Sequence, residues 1–226
     1  MTRVDKLLTQ SGLYSRSEAR ELIRSGRVSV DGETLRRPEA KAADDAAVFV
    51  DGEEVNCSLC RYFMLNKPAG VLSATDDRSQ PTVLDLLPRE IRALGLFPVG
   101  RLDKDTTGLL LLTNDGGFAH RVISPKHGVV KTYLAVTASP VDAEDVRAFR
   151  EGITLADGTH CLPAVLEPLD GCRCRVLVSE GKYHQVKRML AACGKPCTAL
   201  ERTAVGALEL DPELPRGGWR ELRQFE

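Results

Sequence analysis

Gly100-Arg101-Leu102-Asp103-Lys104-Asp105-Thr106-Thr107-Gly108-Leu109-Leu110-Leu111-Leu112-Thr113-Asn114-Asp115-Gly116 is the stretch from which the fold can be read. Its four leucines, bounded by Gly108 and by Asn114-Asp115-Gly116, have the length and punctuation of a strand buried on both faces. The polar segment before them reads as a loop feeding that strand, where a carboxylate can be held rigidly beside a cleft. Working outward, 117–124 reads as a short helix, 132–137 as a strand and 142–149 as an amphipathic helix. Strand patterns follow at 164–166 and 174–178, and a strong helix at 183–193 is stopped by Gly194. Upstream, the apolar run Tyr62-Phe63-Met64-Leu65 leads into the turn Asn66-Lys67-Pro68-Ala69-Gly70 and a polar surface loop at 75–81. Strands and helices interleave without a regular βαβ period, so the expected class is α+β: a larger, mixed and mainly antiparallel sheet flanked by helices.

Before this lies a smaller pattern. Val4, Leu7 and Leu8 have helical spacing up to Gly12, and Ser15-Arg16-Ser17-Glu18 is a capping box opening a second helix with an Ala19, Leu22, Ile23 stripe. Val28 to Leu35 and Val48 to Val55 each alternate around an Asp-Gly turn and predict two hairpins. Arg16, Arg20 and Arg24 recur every fourth residue on the second helix and Arg27 follows. They form a basic ridge, open to reading as a solvated face or as phosphate contacts. The expected organisation is a small domain at 1–56, a linker at 57–61 and a larger domain at 62–226.

The chain has 226 residues, with 31 Lys+Arg against 32 Asp+Glu, a net charge of −1 that excludes a uniformly basic nucleic-acid binder. Hydrophobic residues at 42% and charged residues at 28% exclude disordered and fibrous classes. No apolar run approaches the roughly 20 residues that span a bilayer, and Met1-Thr2-Arg3-Val4-Asp5 lacks a secretory apolar region, so no membrane association and a cytoplasmic location are expected. Cys57-x-x-Cys60 has metal-ligand spacing but no matching second knuckle. The seven cysteines are therefore expected to be free thiols, with no metal.

Three segments concentrate reactive side chains. Asp103 and Asp105 lie too close in sequence to support the acid/base pair of a glycosidase, and no nucleotide-cradling glycine pattern occurs. Lys131-Thr132-Tyr133 places an aromatic ring beside a cation at a strand start. On the 183–193 helix, Tyr183, Val186, Leu190 and Cys193 would face the core, leaving His184, Gln185, Lys187 and Arg188 on the polar side.

In order along the chain, Arg101-Leu102-Asp103-x-x-Thr106-x-Gly108-Leu109, Lys131-Thr132-Tyr133 and Glu180-Gly181-Lys182-Tyr183-His184-Gln185-Val186-Lys187-Arg188-Met189 resemble the pseudouridine synthases of the RsuA/RluB type. The Asn66-Lys67-Pro68-x-Gly70 turn and the first 55 residues, which resemble the S4 RNA-binding domain, belong to the same pattern. Tyr183-His184-Gln185 is closest to the RsuA type. The resemblance implies isomerisation of a uridine in 16S ribosomal RNA, with Asp103 as the nucleophile that helps break the C1′–N1 bond and rejoin C1′ to C5, without metal or other cofactor. It implies a basic partner for Asp103, Lys187 first and Arg188 second, an active-site role for Tyr133, and RNA contacts from Arg101, Arg188, His184, Gln185, Arg16, Arg20, Arg24 and Arg27. The partner it implies is ribosomal RNA in a partly assembled small subunit, met by a monomer. A 23S rRNA enzyme, a non-catalytic S4-type assembly factor and a carboxylate-dependent hydrolase are the alternatives. Charge is segregated accordingly: 1–37 carries eight basic against five acidic residues and 180–202 five against two, whereas 38–60 carries one against six. Such segregation predicts a cationic track with an acidic back and salt-sensitive RNA binding.

Overall fold

Ser15 starts the second helix of the N-terminal unit through a reciprocal cap, accepting from the Glu18 N–H at 3.3 Å while its own N–H donates to Glu18 Oε2 at 2.7 Å. The helices α1 (Val4–Gln10) and α2 (Arg16–Arg24) bury Val4, Leu7, Leu8, Ala19, Leu22 and Ile23 in one core against a four-stranded antiparallel sheet. Its strands are β1 (Val28–Val30), β2 (Glu33–Leu35), β3 (Val48–Val50) and β4 (Glu53–Val55), in the order β2-β1-β3-β4. At both hairpin tips an Asp-Gly pair has positive φ, 50° and 86° at Asp31-Gly32 and 52° and 88° at Asp51-Gly52, the conformation that matches a two-residue turn to strand twist.

The computed structural model describes residues 1–43, 46–57 and 60–222. The chain forms two units, Met1–Arg61 with Leu87–Leu96, and Tyr62–Leu86 with the chain from Phe97 onward. A single break at 57–61 does not anticipate the return of 87–96 to the first unit, and residues 58–59 of that linker lie outside the described residues.

The arginine ridge is not uniform. Arg20 Nε donates to the buried Asp5 carboxylate at 3.2 Å, which also takes a two-pronged contact from Arg3. Arg27 lies beyond the end of α2 and pairs with Asp51 through two hydrogen bonds. Arg16 and Arg24 make no ion pair among the described residues.

In the larger unit the main path of the sheet comprises β5 (Tyr62–Lys67), β6 (Thr107–Thr113), β7 (Lys131–Thr137), β8 (Val165–Pro168), β9 (Arg173–Val178), β10 (Cys197–Val205) and β11 (Trp219–Glu221), with the short strands Phe97–Pro98 and Leu208–Glu209 added beside β6 and β10. Their order is β8-β9-β7-β10-β6-β5-β11, and every pairing on this path is antiparallel except β10 with β6. Helices α3 (Gly116–Ile123), α4 (Ala143–Glu151) and α5 (Gln185–Ala192) flank it. Leu109–Leu112 are all buried, as a strand with both faces covered requires. Ala135, Phe149, Val176, Val186 and Met189 form one core beneath α4 and α5, and Met64, Leu109, Leu111, Ala119 and Val122 form another beside α3.

The parallel junction explains Gly108. Its φ is +98°, and a Cβ there would stand 2.2 Å from the Arg202 carbonyl oxygen of β10. Arg202 locks the same junction from its side, its buried Nε donating to the Leu109 carbonyl at 2.8 Å. β6 therefore leaves the 100–106 loop at a defined point against β10.

Candidate active site

The loop that carries Asp103 is held from below by Lys67. This lysine ends β5 with no solvent exposure, and its ammonium donates to the carbonyls of Pro68, Asp103, Lys104 and Thr106 at 2.9–3.2 Å. Burial pushes it down to about 8, against the pull of the Asp105 and Asp103 carboxylates. Ser73 clamps the other side: its hydroxyl donates to the Leu102 carbonyl at 2.9 Å and accepts from the Leu102 N–H at 3.0 Å. The Gly70 N–H donates to the Lys104 carbonyl at 2.8 Å. Backbone groups that would otherwise bend toward water are thus fastened from both sides, so the loop presents its side chains from a rigid base.

The opposite wall is the start of α5. Lys187 Nζ lies 3.0 Å from Asp103 Oδ2 and 2.6 Å from Asp105 Oδ1. Burial lowers the Lys187 pKa, but hydrogen bonds to Asp105 and Asp103 outweigh it and hold the ammonium above its ordinary value. Asp105 is held low, first by its hydrogen bond to Lys187. His184 Nε2 stands 3.3 Å from Asp103 Oδ1. Its backbone is left-handed, φ 48° and ψ 33°, so α5 begins at Gln185 rather than at Tyr183.

That left-handed turn is built on Glu180. Its buried carboxylate accepts from Gln185 Nε2 at 2.7 Å, the Leu162 N–H at 2.9 Å and Lys182 Nζ at 2.5 Å. Burial raises the Glu180 pKa, yet Lys182 and the two N–H donors outweigh it and keep the group low. Gln185 Oε1 in turn accepts the Lys182 N–H at 3.0 Å.

Between the walls lies a cavity of about 70 Å³ lined by Arg101, Asp103, Thr106, Tyr133, His184 and Leu200, among others. Arg101 is exposed and makes no ion pair or hydrogen bond among the described residues. The Thr106 hydroxyl is buried and has no hydrogen-bond partner among the described residues. The cavity thus offers the Asp103 carboxyl group with the Lys187 ammonium and the His184 imidazole against it, one aromatic wall and a buried hydroxyl. That set suits a small, flat, polar ring bonded to a sugar.

Comparison with known proteins agrees with that geometry. Residues 61–192 match the RNA pseudouridylate synthase family and residues 2–48 match the S4 domain. The chain is 42% identical to the ribosomal small subunit pseudouridine synthase A of Escherichia coli, over 99% of this chain and 97% of that one. This chain belongs to the RNA pseudouridylate synthase family. An uncharacterized RNA pseudouridine synthase of Bacillus subtilis is 43% identical over 99% of this chain and 96% of its own length. A crystal structure of a pseudouridylate synthase aligns over 98% of this chain and 96% of its own, with 38% identity and a TM-score of 0.69. As a pseudouridine synthase the chain is an isomerase, and it is of the α+β class with an N-terminal S4 domain, as the sequence predicts.

Within the family pattern, several residues stand elsewhere than sequence spacing places them. Tyr183, expected in the core, is 72% exposed, because the left-handed His184 swings it off the helix face. Gln185, expected as an RNA contact, is buried with both ends of its amide bonded inside the protein, so it supports the turn and has no free donor to offer. Arg188 reaches Asp157 at 2.5 Å, not Asp103. The Thr159 N–H and Arg188 hold Asp157 down to about 2. Lys131 is buried and donates to the Val122 and Val129 carbonyls at 2.9 and 2.7 Å, so the cation beside Tyr133 is a structural tie. Sequence reasoning passed over Lys67 and Glu180 as working residues. The available signal was a lysine closing an apolar strand and an acid at the end of another, each among neighbours expected to be buried.

Proposed function

We propose that this chain isomerises one uridine of small-subunit (16S) ribosomal RNA to pseudouridine, with Asp103 as nucleophile. The observation that carries the reading is the Asp103 carboxylate held between Lys187 and His184 in a cavity walled by Tyr133. The Asp103 carboxylate adds to C1′ of the ribose while the C1′–N1 electron pair departs with the uracil. The freed ring turns, its C5 bonds to C1′ as the carboxylate leaves, and the C5 proton is lost while N1 regains one, so atoms balance without a cofactor. The Lys187 ammonium, 3.0 Å from Asp103, offsets the negative charge of the nucleophile where the bound ring excludes water. Tyr133 stacks on the extruded base, and Arg101, without a side-chain partner among the described residues, takes a flanking phosphate or helps turn the base out. His184 borders the substrate, and Arg188 approaches the RNA from the Asp157 side.

The substrate assignment rests on the small-subunit relatives. In this reading 1–56 is the RNA-binding domain, with Arg16 and Arg24 as its readiest phosphate contacts, and 62–226 is the catalytic domain. The enzyme works as a monomer in the cytoplasm on a partly assembled small subunit. The test is chemical mapping of pseudouridine by primer extension on 16S and 23S rRNA after incubation with wild type and with Asp103→Asn. One new 16S signal with wild type and none with Asp103→Asn is expected. A signal on 23S alone would overturn the substrate, and full activity of Asp103→Asn would overturn the nucleophile.

A further inference from the structure

Tyr183 is the feature of the cleft that the chemistry at Asp103 does not use. Among the described large hydrophobic side chains only Met1 is more exposed. The ring is not loose, because it stacks on the His184 imidazole with centroids 3.9 Å apart and planes 18° from parallel. One face is thereby covered and the other is open. His184 itself lines the cavity and its Nε2 stands 3.3 Å from Asp103 Oδ1, so stacked tyrosine, imidazole and carboxylate form a continuous line of contacts running from solvent into the site.

A solvated surface tyrosine needs no such support. Here the support is a non-glycine residue in the left-handed region, braced by the Glu180–Gln185–Lys182 hydrogen bonds. The same cavity carries Arg101, which has no ion pair among the described residues. An open aromatic face, joined through its stacking partner His184 to a cavity that Arg101 also lines, suits single-stranded nucleic acid, since every base offers a π-face whatever its sequence and a guanidinium meets its phosphates. Uridine extruded into a cavity of about 70 Å³ also leaves its neighbours in the strand unstacked at the rim.

We propose that Tyr183, seated on His184, is a stacking platform for a nucleobase next to the target uridine, holding the strand splayed while the target ring occupies the cavity. This inference rests on the reading of the cavity as a uridine site. It makes Tyr183 a positioning residue that acts on strand placement and on the rigidity of His184.

The test places 2-aminopurine at each position flanking the mapped uridine in a short rRNA fragment. Quenching and turnover are measured for wild type, Tyr183→Phe and Tyr183→Ala, and quenching again for each in an Asp103→Asn background. Wild type and Tyr183→Phe should quench one flanking probe equally. Tyr183→Ala should lose that quenching and raise KM roughly 10-fold, the scale of one lost base stack, with a smaller change in kcat. Quenching and KM retained in Tyr183→Ala would overturn the proposal, as would Tyr183→Phe failing like Tyr183→Ala, which would assign the effect to the hydroxyl. Because quenching is also read in the Asp103→Asn background, loss of the platform and failure of the nucleophile assignment give different results. Tyr183 is exposed, so its variants fold.

Discussion

Replacing Lys67 with methionine keeps the apolar stem and deletes the ammonium that four carbonyls share. The Thr106 contact is fully buried, and the other three are partly buried and can recruit water. One buried acceptor left bare costs about 1–3 kcal/mol, and each hydrogen bond from a charged donor is worth about 1.5–3 kcal/mol. Relief from burying the ammonium offsets part of this, leaving a net destabilisation of about 2–4 kcal/mol. The larger effect is on turnover, because a loop freed to move by about 1 Å loses on the order of 100-fold in rate. Urea unfolding and tritium release from C5-labelled uridine in RNA read the two effects. Wild type adds a pH signature. With Lys67 at about 8 in the folded chain against 10.5 as its ordinary value, the folded protein binds fewer protons across that window. Lys67 therefore makes global stability rise with pH there, while activity falls above about 8 as the neutral amine gives up a donor to the loop. Unchanged unfolding midpoint and turnover in Lys67→Met, with no alkaline limb in wild type, would refute the role assigned to this lysine.

Lys187→Met and Arg188→Ala should separate cleanly. Lys187 and Asp103 are each about one-fifth to one-quarter exposed, so the low end of a desolvated ion pair applies, about 2 kcal/mol or roughly 30-fold in kcat. Arg188 pairs with the half-exposed Asp157, and its loss should change kcat by no more than about 3-fold; equal losses in kcat would contradict this assignment. Gly108→Ala drives a Cβ into the backbone of Arg202 and should lower stability by about 3 kcal/mol or more, and a urea midpoint matching wild type would show that β6 and β10 do not meet this closely.

Much of this architecture is local and could be read residue by residue. The Ser15 capping box, the two Asp-Gly turns and the apolar run at 109–112 depend on neighbours within a few positions, so composition and spacing reveal them. The order of motifs around Asp103, Tyr133 and Lys187 was enough to point to the family and to place those three residues on loop, strand and helix. Periodicity failed where the backbone left it. A helix pattern extended back to Tyr183 cannot show that His184 turns left-handed, because that conformation is imposed by Glu180, Gln185 and Lys182 bonding around it. Neither can spacing choose between Lys187 and Arg188. Adjacent residues on a helix point about 100° apart, and only the packing of α5 decides which one meets the loop.

By itself, then, the sequence determined the elements, the two patterns of domain and the chemistry to look for. Tertiary structure alone decided that Lys67 binds the loop beneath Asp103, that Arg202 and Gly108 set its exit, and that Tyr183 faces solvent. Each of these depends on groups brought together from distant parts of the chain or on a backbone angle that burial and hydrogen bonding enforce, and neither leaves a periodic trace.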